Sequence, residues 1–160
     1  MKELKITTSF TVYDDIKQLP EDMSSLMKEA IKSREKAYAP YSKFRVGAAV
    51  LMDNNKIVVG NNQENACYPS GLCAERVAIY QAGALYPNIN ITAIAITASS
   101  DNYDVAEPIP PCGACRQSMI EYEIKQKREI PVFFMGKSGN IYRSSSIKNL
   151  LPLSFNSSFL

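Results

Sequence analysis

RVGAAVLM-DNN-KIVVGNNQ, residues 45–63, is the stretch on which the fold turns. Val46, Val50, Ile57, Val58 and Val59 give its two halves the β-branched content of strands. Asp53-Asn54-Asn55 between them supplies turn chemistry, so residues 45–52 and 56–63 are expected to pair as an antiparallel hairpin. Beyond the hairpin, residues 73–85 and 112–127 read as helices that alternate with apolar strands at 91–98 and 131–135. A helix between two such strands implies a parallel crossover, so the sheet should mix parallel and antiparallel pairs and carry helices on its faces. Gly136 to Gly139 turns the chain into a last strand through Tyr142, and residues 147–151 read as one short helical turn. Upstream, residues 4–13 alternate like a strand. Met23, Leu26, Met27, Ala30 and Ile31 then fall on one face of a helix that Ala39-Pro40 should end.

The 160 residues suit one compact domain, with 46% hydrophobic and 21% charged residues as in ordinary globular chains. Eighteen Lys and Arg against sixteen Asp and Glu leave a net charge of +2, too balanced for a polyanion-binding face. A small uncharged substrate fits better than nucleic acid. The start, Met1-Lys2-Glu3-Leu4, lacks the apolar core of a signal peptide, and no apolar run reaches membrane-spanning length, so a cytoplasmic location is the default expectation. Four cysteines and no histidine exclude any imidazole chemistry, and a Cys-x-x-Cys pair in a reducing compartment points to a metal or redox site.

The reactive residue types gather in two segments, Ser70-Gly71-Leu72-Cys73-Ala74-Glu75-Arg76 and Pro110-Pro111-Cys112-Gly113-Ala114-Cys115-Arg116-Gln117. Each enters a helix, where unpaired N–H groups and the helix dipole favour a thiolate. Cys73, Cys112 and Cys115 can converge, and three thiolates leave a fourth tetrahedral position for water, as in a catalytic zinc site. Glu75, two residues past a ligand, is placed to exchange protons with that water, the arrangement of the zinc deaminases. A structural zinc clip would need Cys67 as a fourth ligand and would leave Glu75 idle; Cys67 is expected to be structural instead.

At this point the chain resembles the cytidine deaminase family, from about residue 41 to residue 155. The matching pieces are Tyr41-Ser42-Lys43-Phe44-Arg45-Val46-Gly47-Ala48-Ala49, Asn62-Gln63-Glu64-Asn65-Ala66-Cys67-Tyr68-Pro69, the Cys73-to-Arg76 segment, Pro111 to Gln117, and Leu150-Leu151-Pro152. The resemblance implies a three-layer α/β/α fold with a mixed five-stranded central sheet and one Zn2+ per chain on Cys73, Cys112 and Cys115. It also implies Glu75 as proton carrier and Arg76 hydrogen-bonded to ligand sulfur. Phe44 would pack on the base, Asn62 and Glu64 would bind the ribose, and Ala66, Tyr68 and Ala74 would contact the substrate. From the residues alone, Phe44 beside a strand reads first as core, and Asn62 and Glu64 could simply cap or solvate a strand end. Asn62-x-Glu64-Asn65 also argues against a base-only deaminase and against the blasticidin S deaminases. Residues 1–22 extend the front, and the 102–110 loop is longer than usual.

The expected activity is hydrolytic deamination of free cytidine and deoxycytidine in pyrimidine salvage. The alternatives are a related cytosine nucleoside analogue, or cytosine in nucleic acid. Leu150, Leu151, Leu153, Phe155 and Phe159 crowd the final eleven residues, leaving two options: a tail folded on its own core, or one buried against a neighbour. The resemblance favours the second. It implies a homotetramer in which Phe155 and the loop carrying Ala66 and Tyr68 reach a neighbour's pocket, with Tyr41 at its border.

Overall fold

A computed structural model describes residues 1–160. In chain order the elements are β1 (Thr11–Tyr13), α1 (Glu21–Arg34), β2 (Phe44–Met52), β3 (Ile57–Asn61), α2 (Ala74–Leu85), β4 (Ile91–Ser100), α3 (Gly113–Gln126), β5 (Val132–Met135) and β6 (Ile141–Ser144). The hairpin forms as its residues require, with Ala49 opposite Val59 and Leu51 opposite Ile57. The sheet order is β1-β6-β5-β4-β2-β3; β4 and β5 pair in parallel and every other neighbour is antiparallel. Because β2 is antiparallel to both β3 and β4, those two run the same way. Helix α2 therefore crosses over β2 to join them, and α3 links β4 to the adjacent β5. Both helices start beyond the carboxyl ends of strands of one direction, and this brings their N-termini to the same end of the molecule.

Side-chain alternation divides the core. Ala48, Val50, Ile94, Ile96, Val132 and Phe134 meet Ala78, Ile79 and Ala82 of α2 and Met119 and Ile120 of α3 on one face. Ala49, Ala93, Ala95, Phe133 and Met135 meet Leu26, Met27 and Ala30 of α1 on the other. This is the expected α/β/α layering. Strands β4 and β5 are covered on both sides, which is why they read as unbroken apolar runs. Two glycines let the helices approach closely: a Cβ on Gly47 would lie 2.1 Å from Ala30 O of α1, and one on Gly60 would lie 2.5 Å from Ala78 N of α2. The end of α1 is fastened by a buried Arg34, whose Nη1 donates to Thr97 Oγ1 at 2.7 Å, and by Ser33, whose hydroxyl donates to Gly60 O at 2.8 Å.

The sheet has six strands, not five. Of the strand expected at 4–13 only Thr11–Tyr13 forms, pairing with β6 through Thr11↔Arg143, Val12↔Tyr142 and Tyr13↔Ile141. Aromatic contacts fix it there: Phe10 lies 6.2 Å from Phe134 and 6.5 Å from Tyr142, and Tyr13 lies 6.4 Å from Phe133. Residues 1–10 have no pairing partner and are exposed. Helix α1 ends at Arg34, earlier than Ala39-Pro40 suggested, because the chain turns to bring Tyr38 N to Asn62 O at 3.0 Å. The apolar tail divides. Leu150 is buried in the α2/α3 core and Leu151 packs against it, whereas Leu153, Phe155 and Phe159 are exposed. Phe155 and Phe159 stack on each other at 5.8 Å.

Candidate active site

Cys73 and Cys112 are the N-cap residues of α2 and α3, in extended conformation, and Cys115 lies in the first turn of α3. With both helices starting at the same end, the three sulfurs lie within 4.8 Å of one another. Cys73 Sγ is 3.9 Å from Cys112 Sγ, and Cys112 Sγ is 3.4 Å from Cys115 Sγ. A tetrahedral zinc with bonds of about 2.3 Å would space its sulfurs roughly 3.8 Å apart, so this donor set fits the metal in kind, number and spacing. Cys67 is exposed and does not join the cluster.

The electrostatics are those of an anionic centre. Hydrogen bonding with Cys115 and with Arg76 lowers the Cys73 thiol to about 5, despite partial burial. The same bond and burial push Cys115 up, so the two sulfurs share protons unequally. Arg76 Nη2 donates to Cys73 Sγ at 3.8 Å, and that contact raises the guanidinium further above its ordinary value. Arg76 Nε is buried without an acceptor. Glu75 is only 5% exposed. Burial lifts its carboxyl above the usual carboxylate range, and the charge of Cys73 adds to this against the opposing hydrogen bond from its own backbone. Ala74 is fully buried at the start of α2.

Beside Cys73 opens a cleft of about 450 Å³ lined by Tyr41, Ser42, Asn62, Glu64, Tyr68, Leu72, Cys73 and Arg76, within the range of about 300–1,000 Å³ usual for small-molecule sites. Asn62 and Glu64 are both here, and both also brace the backbone. Asn62 Oδ1 accepts from Val46 N at 2.8 Å and its Nδ2 donates to Phe44 O at 2.9 Å, which leaves one amide hydrogen free. Glu64 accepts from Tyr41 N at 2.9 Å, from Ser42 N at 3.2 Å and from the Ser42 hydroxyl. Partial burial alone would raise Glu64, but these three donors hold its carboxyl below the ordinary value. Phe44 is half-buried at the start of β2 and Ala66 is exposed in the loop after Glu64; neither lines the cleft. Phe155 is 59% exposed, outside the cleft, and its carbonyl accepts from Gln117 Nε2 at 2.9 Å. Ser42 carried no assigned role in the sequence, because its bond to Glu64 spans 22 residues and leaves no local pattern.

Comparison with known proteins agrees with this geometry. Residues 20–128 match the cytidine and deoxycytidylate deaminase zinc-binding region. A cytidine deaminase of Halalkalibacterium halodurans is 41% identical over 134 residues, covering 84% of this chain and 94% of that protein. One from Sporosarcina psychrophila is 37% identical over 134 residues, covering 84% and 91%. The crystal structure of cytidine deaminase from Burkholderia pseudomallei superposes with a TM-score of 0.70 at 40% identity, covering 82% of this chain and 97% of that one. With its cysteine cluster, its buried glutamate and these relatives, the chain belongs to the cytidine deaminase family, enzymes that hydrolyse a C–N bond.

Proposed function

We propose that this protein deaminates free cytidine and deoxycytidine to uridine and deoxyuridine, releasing ammonia, as a zinc-dependent cytoplasmic enzyme of pyrimidine salvage. The observation that carries the reading is the convergence of Cys73, Cys112 and Cys115 beside the buried carboxyl of Glu75, next to a cleft of small-molecule size that Cys73 and Arg76 help to line. Zinc, when held there, supplies the Lewis acidity that makes water a nucleophile at neutral pH. Glu75 takes a proton from the attacking water and delivers it to N3 of the cytosine ring as oxygen bonds to C4. It then helps protonate the departing amino group, so that water's oxygen stays on the base and ammonia leaves. Three thiolates on a divalent cation sum to one negative charge, and Arg76 at Cys73 Sγ draws part of that charge away from the metal. Asn62 and Glu64 face the cleft where a ribose would lie. Tyr68 and Tyr41, with ring centroids 5.9 Å apart, border its mouth. Phe44, Ala66, Ala74 and Phe155 complete the proposed substrate contacts, Phe155 from a neighbouring chain of a homotetramer.

Ultraviolet absorbance tests the reading directly, by following free cytidine, deoxycytidine and then a cytosine-containing oligonucleotide with the zinc-loaded protein. The nucleosides are expected to turn over and the oligonucleotide to remain unchanged. Turnover of the oligonucleotide alone would replace this substrate assignment with a nucleic-acid one.

A further inference from the structure

The three cysteines are held in different ways. Cys115 is fully buried, so packing sets its side chain, but Cys112 is exposed. The backbone of Cys112 is held by Arg116. Both peptide carbonyls flanking its Cα accept from Arg116: the Arg116 backbone N–H reaches Cys112 O at 2.9 Å, and the Arg116 side-chain Nε reaches Pro111 O at 2.7 Å. With both peptide planes held, the Cys112 backbone is confined near φ −66° and ψ 166°, and that confines the direction of Cβ. The guanidinium is itself pinned, because Nη1 donates to Leu150 O at 2.8 Å. Leu150 follows a turn anchored by Glu123, which is 2% exposed and accepts from Ile147 N at 2.9 Å, Ile130 N at 2.8 Å and Ser146 Oγ at 2.7 Å. At the first cysteine both flanking carbonyls are held by backbone alone, Leu72 O by Gln63 N at 2.9 Å and Cys73 O by Val77 N at 3.1 Å, and the side chain of Arg76 reaches the sulfur instead.

We propose that Arg116 is a positioning residue, whose guanidinium spans Pro111 O and Leu150 O to aim the Cys112 sulfur at Cys73 and Cys115. This rests on reading the three cysteines as metal ligands. The C-terminal turn is thereby part of the metal site's support, although none of its residues touches a sulfur. Lysine can replace the arginine only in part, since one ammonium lacks the planar fork that reaches two carbonyls on different segments.

Cobalt(II) titration of the metal-free full chain, read through the thiolate-to-cobalt charge-transfer band, provides the test, with circular dichroism as the check on folding. Arg116→Ala is expected to weaken cobalt and zinc affinity by about ten- to a hundredfold and to alter the band, with Arg116→Lys intermediate. Gln117→Ala, which frees Phe155 O but leaves Pro111 O held, is expected to keep the wild-type spectrum. A folded Arg116→Ala protein with wild-type band and affinity overturns the proposal, and so does a Gln117→Ala defect as large as that of Arg116→Ala. If Arg116→Ala does not fold, Arg116→Lys decides on the same two readouts. Wild-type protein without a thiolate band would instead refute the metal reading itself, an outcome distinct from an unaffected variant.

Discussion

Glu75 and Arg76 are adjacent in the chain, yet one is almost wholly buried, its carboxyl raised above its ordinary value, while the other places positive charge against a sulfur. A carboxyl lifted by burial holds a proton more readily, which suits a group that must both take and return one. Glu75→Gln is expected to keep fold and metal while turnover falls by about 10²–10⁴, measured as kcat under saturating cytidine. Metal analysis of the purified variants should find zinc retained in Cys67→Ser and lost in Cys112→Ser, because only the latter sulfur belongs to the cluster. Glu64 carries a pH dependence. Its folded value lies below the ordinary 4.5, so its hold on the Tyr41–Ser42 turn is complete above that ordinary value and is lost as pH falls through the folded one. Ser42→Ala removes one donor and should move that loss to higher pH, visible in a carboxyl NMR titration of Glu64, and should raise KM. The cysteines and Glu75 were legible because the spacing within each of two short segments carries their chemistry. The double duty of Asn62 and Glu64 was not, because the partners Phe44, Val46 and Ser42 are 16 to 22 residues away.

Helices and strands carry these groups at contact distances that leave no room for a methyl group. On Gly47 a Cβ would meet Ala30 O at 2.1 Å and Arg34 N at 2.5 Å, and on Gly60 it would meet Ala78 N at 2.5 Å and Ala74 O at 2.6 Å. Both alanine variants are expected to lose about 1–3 kcal/mol or more of stability by denaturant unfolding. They should differ in activity. Gly60→Ala displaces α2, which is capped by Cys73 and carries Glu75, whereas Gly47→Ala displaces α1, which bears no cleft residue. Most elements were readable from periodicity, since β4 and β5 are unbroken apolar runs and α1 shows one clean apolar face. The sixth strand was harder to place. Alternation over residues 4–13 promised a longer strand, but pairing follows β6, which offers partners only from Ile141 to Arg143. Deleting residues 1–13 would bare that edge and the faces of Phe133 and Phe134, so lower thermal stability and increased aggregation are expected, followed by light scattering.

At the scale of the whole molecule the surface is uneven. The tail sends Leu150 into the core and leaves Leu153 82%, Phe155 59% and Phe159 69% exposed, a split that composition could not reveal because all are simply apolar. The proposed homotetramer would account for this surface if its neighbours cover Phe155 and Phe159. Truncation after Pro152, which keeps Leu150 and its bond to Arg116, is therefore expected to shift sedimentation toward smaller species and weaken nucleoside binding with metal content unchanged. A truncated protein of unaltered size and kcat/KM would return the tail to its own chain. The order of strands was likewise beyond the sequence: alternation tells which face a residue takes, but only the packed sheet shows that β2 lies between β3 and β4.

That intervening strand has a consequence for how the protein matures. Cys112 and Cys115 come together in one helical turn, but Cys73 is 39 residues from Cys112 and reaches it only once β3, β2 and β4 are aligned. Local structure forms early in folding and long-range pairing late, so a refolding chain should meet its metal first through two sulfurs and acquire the third at the end. The rate at which the third bond appears then serves as a clock for completion of the sheet.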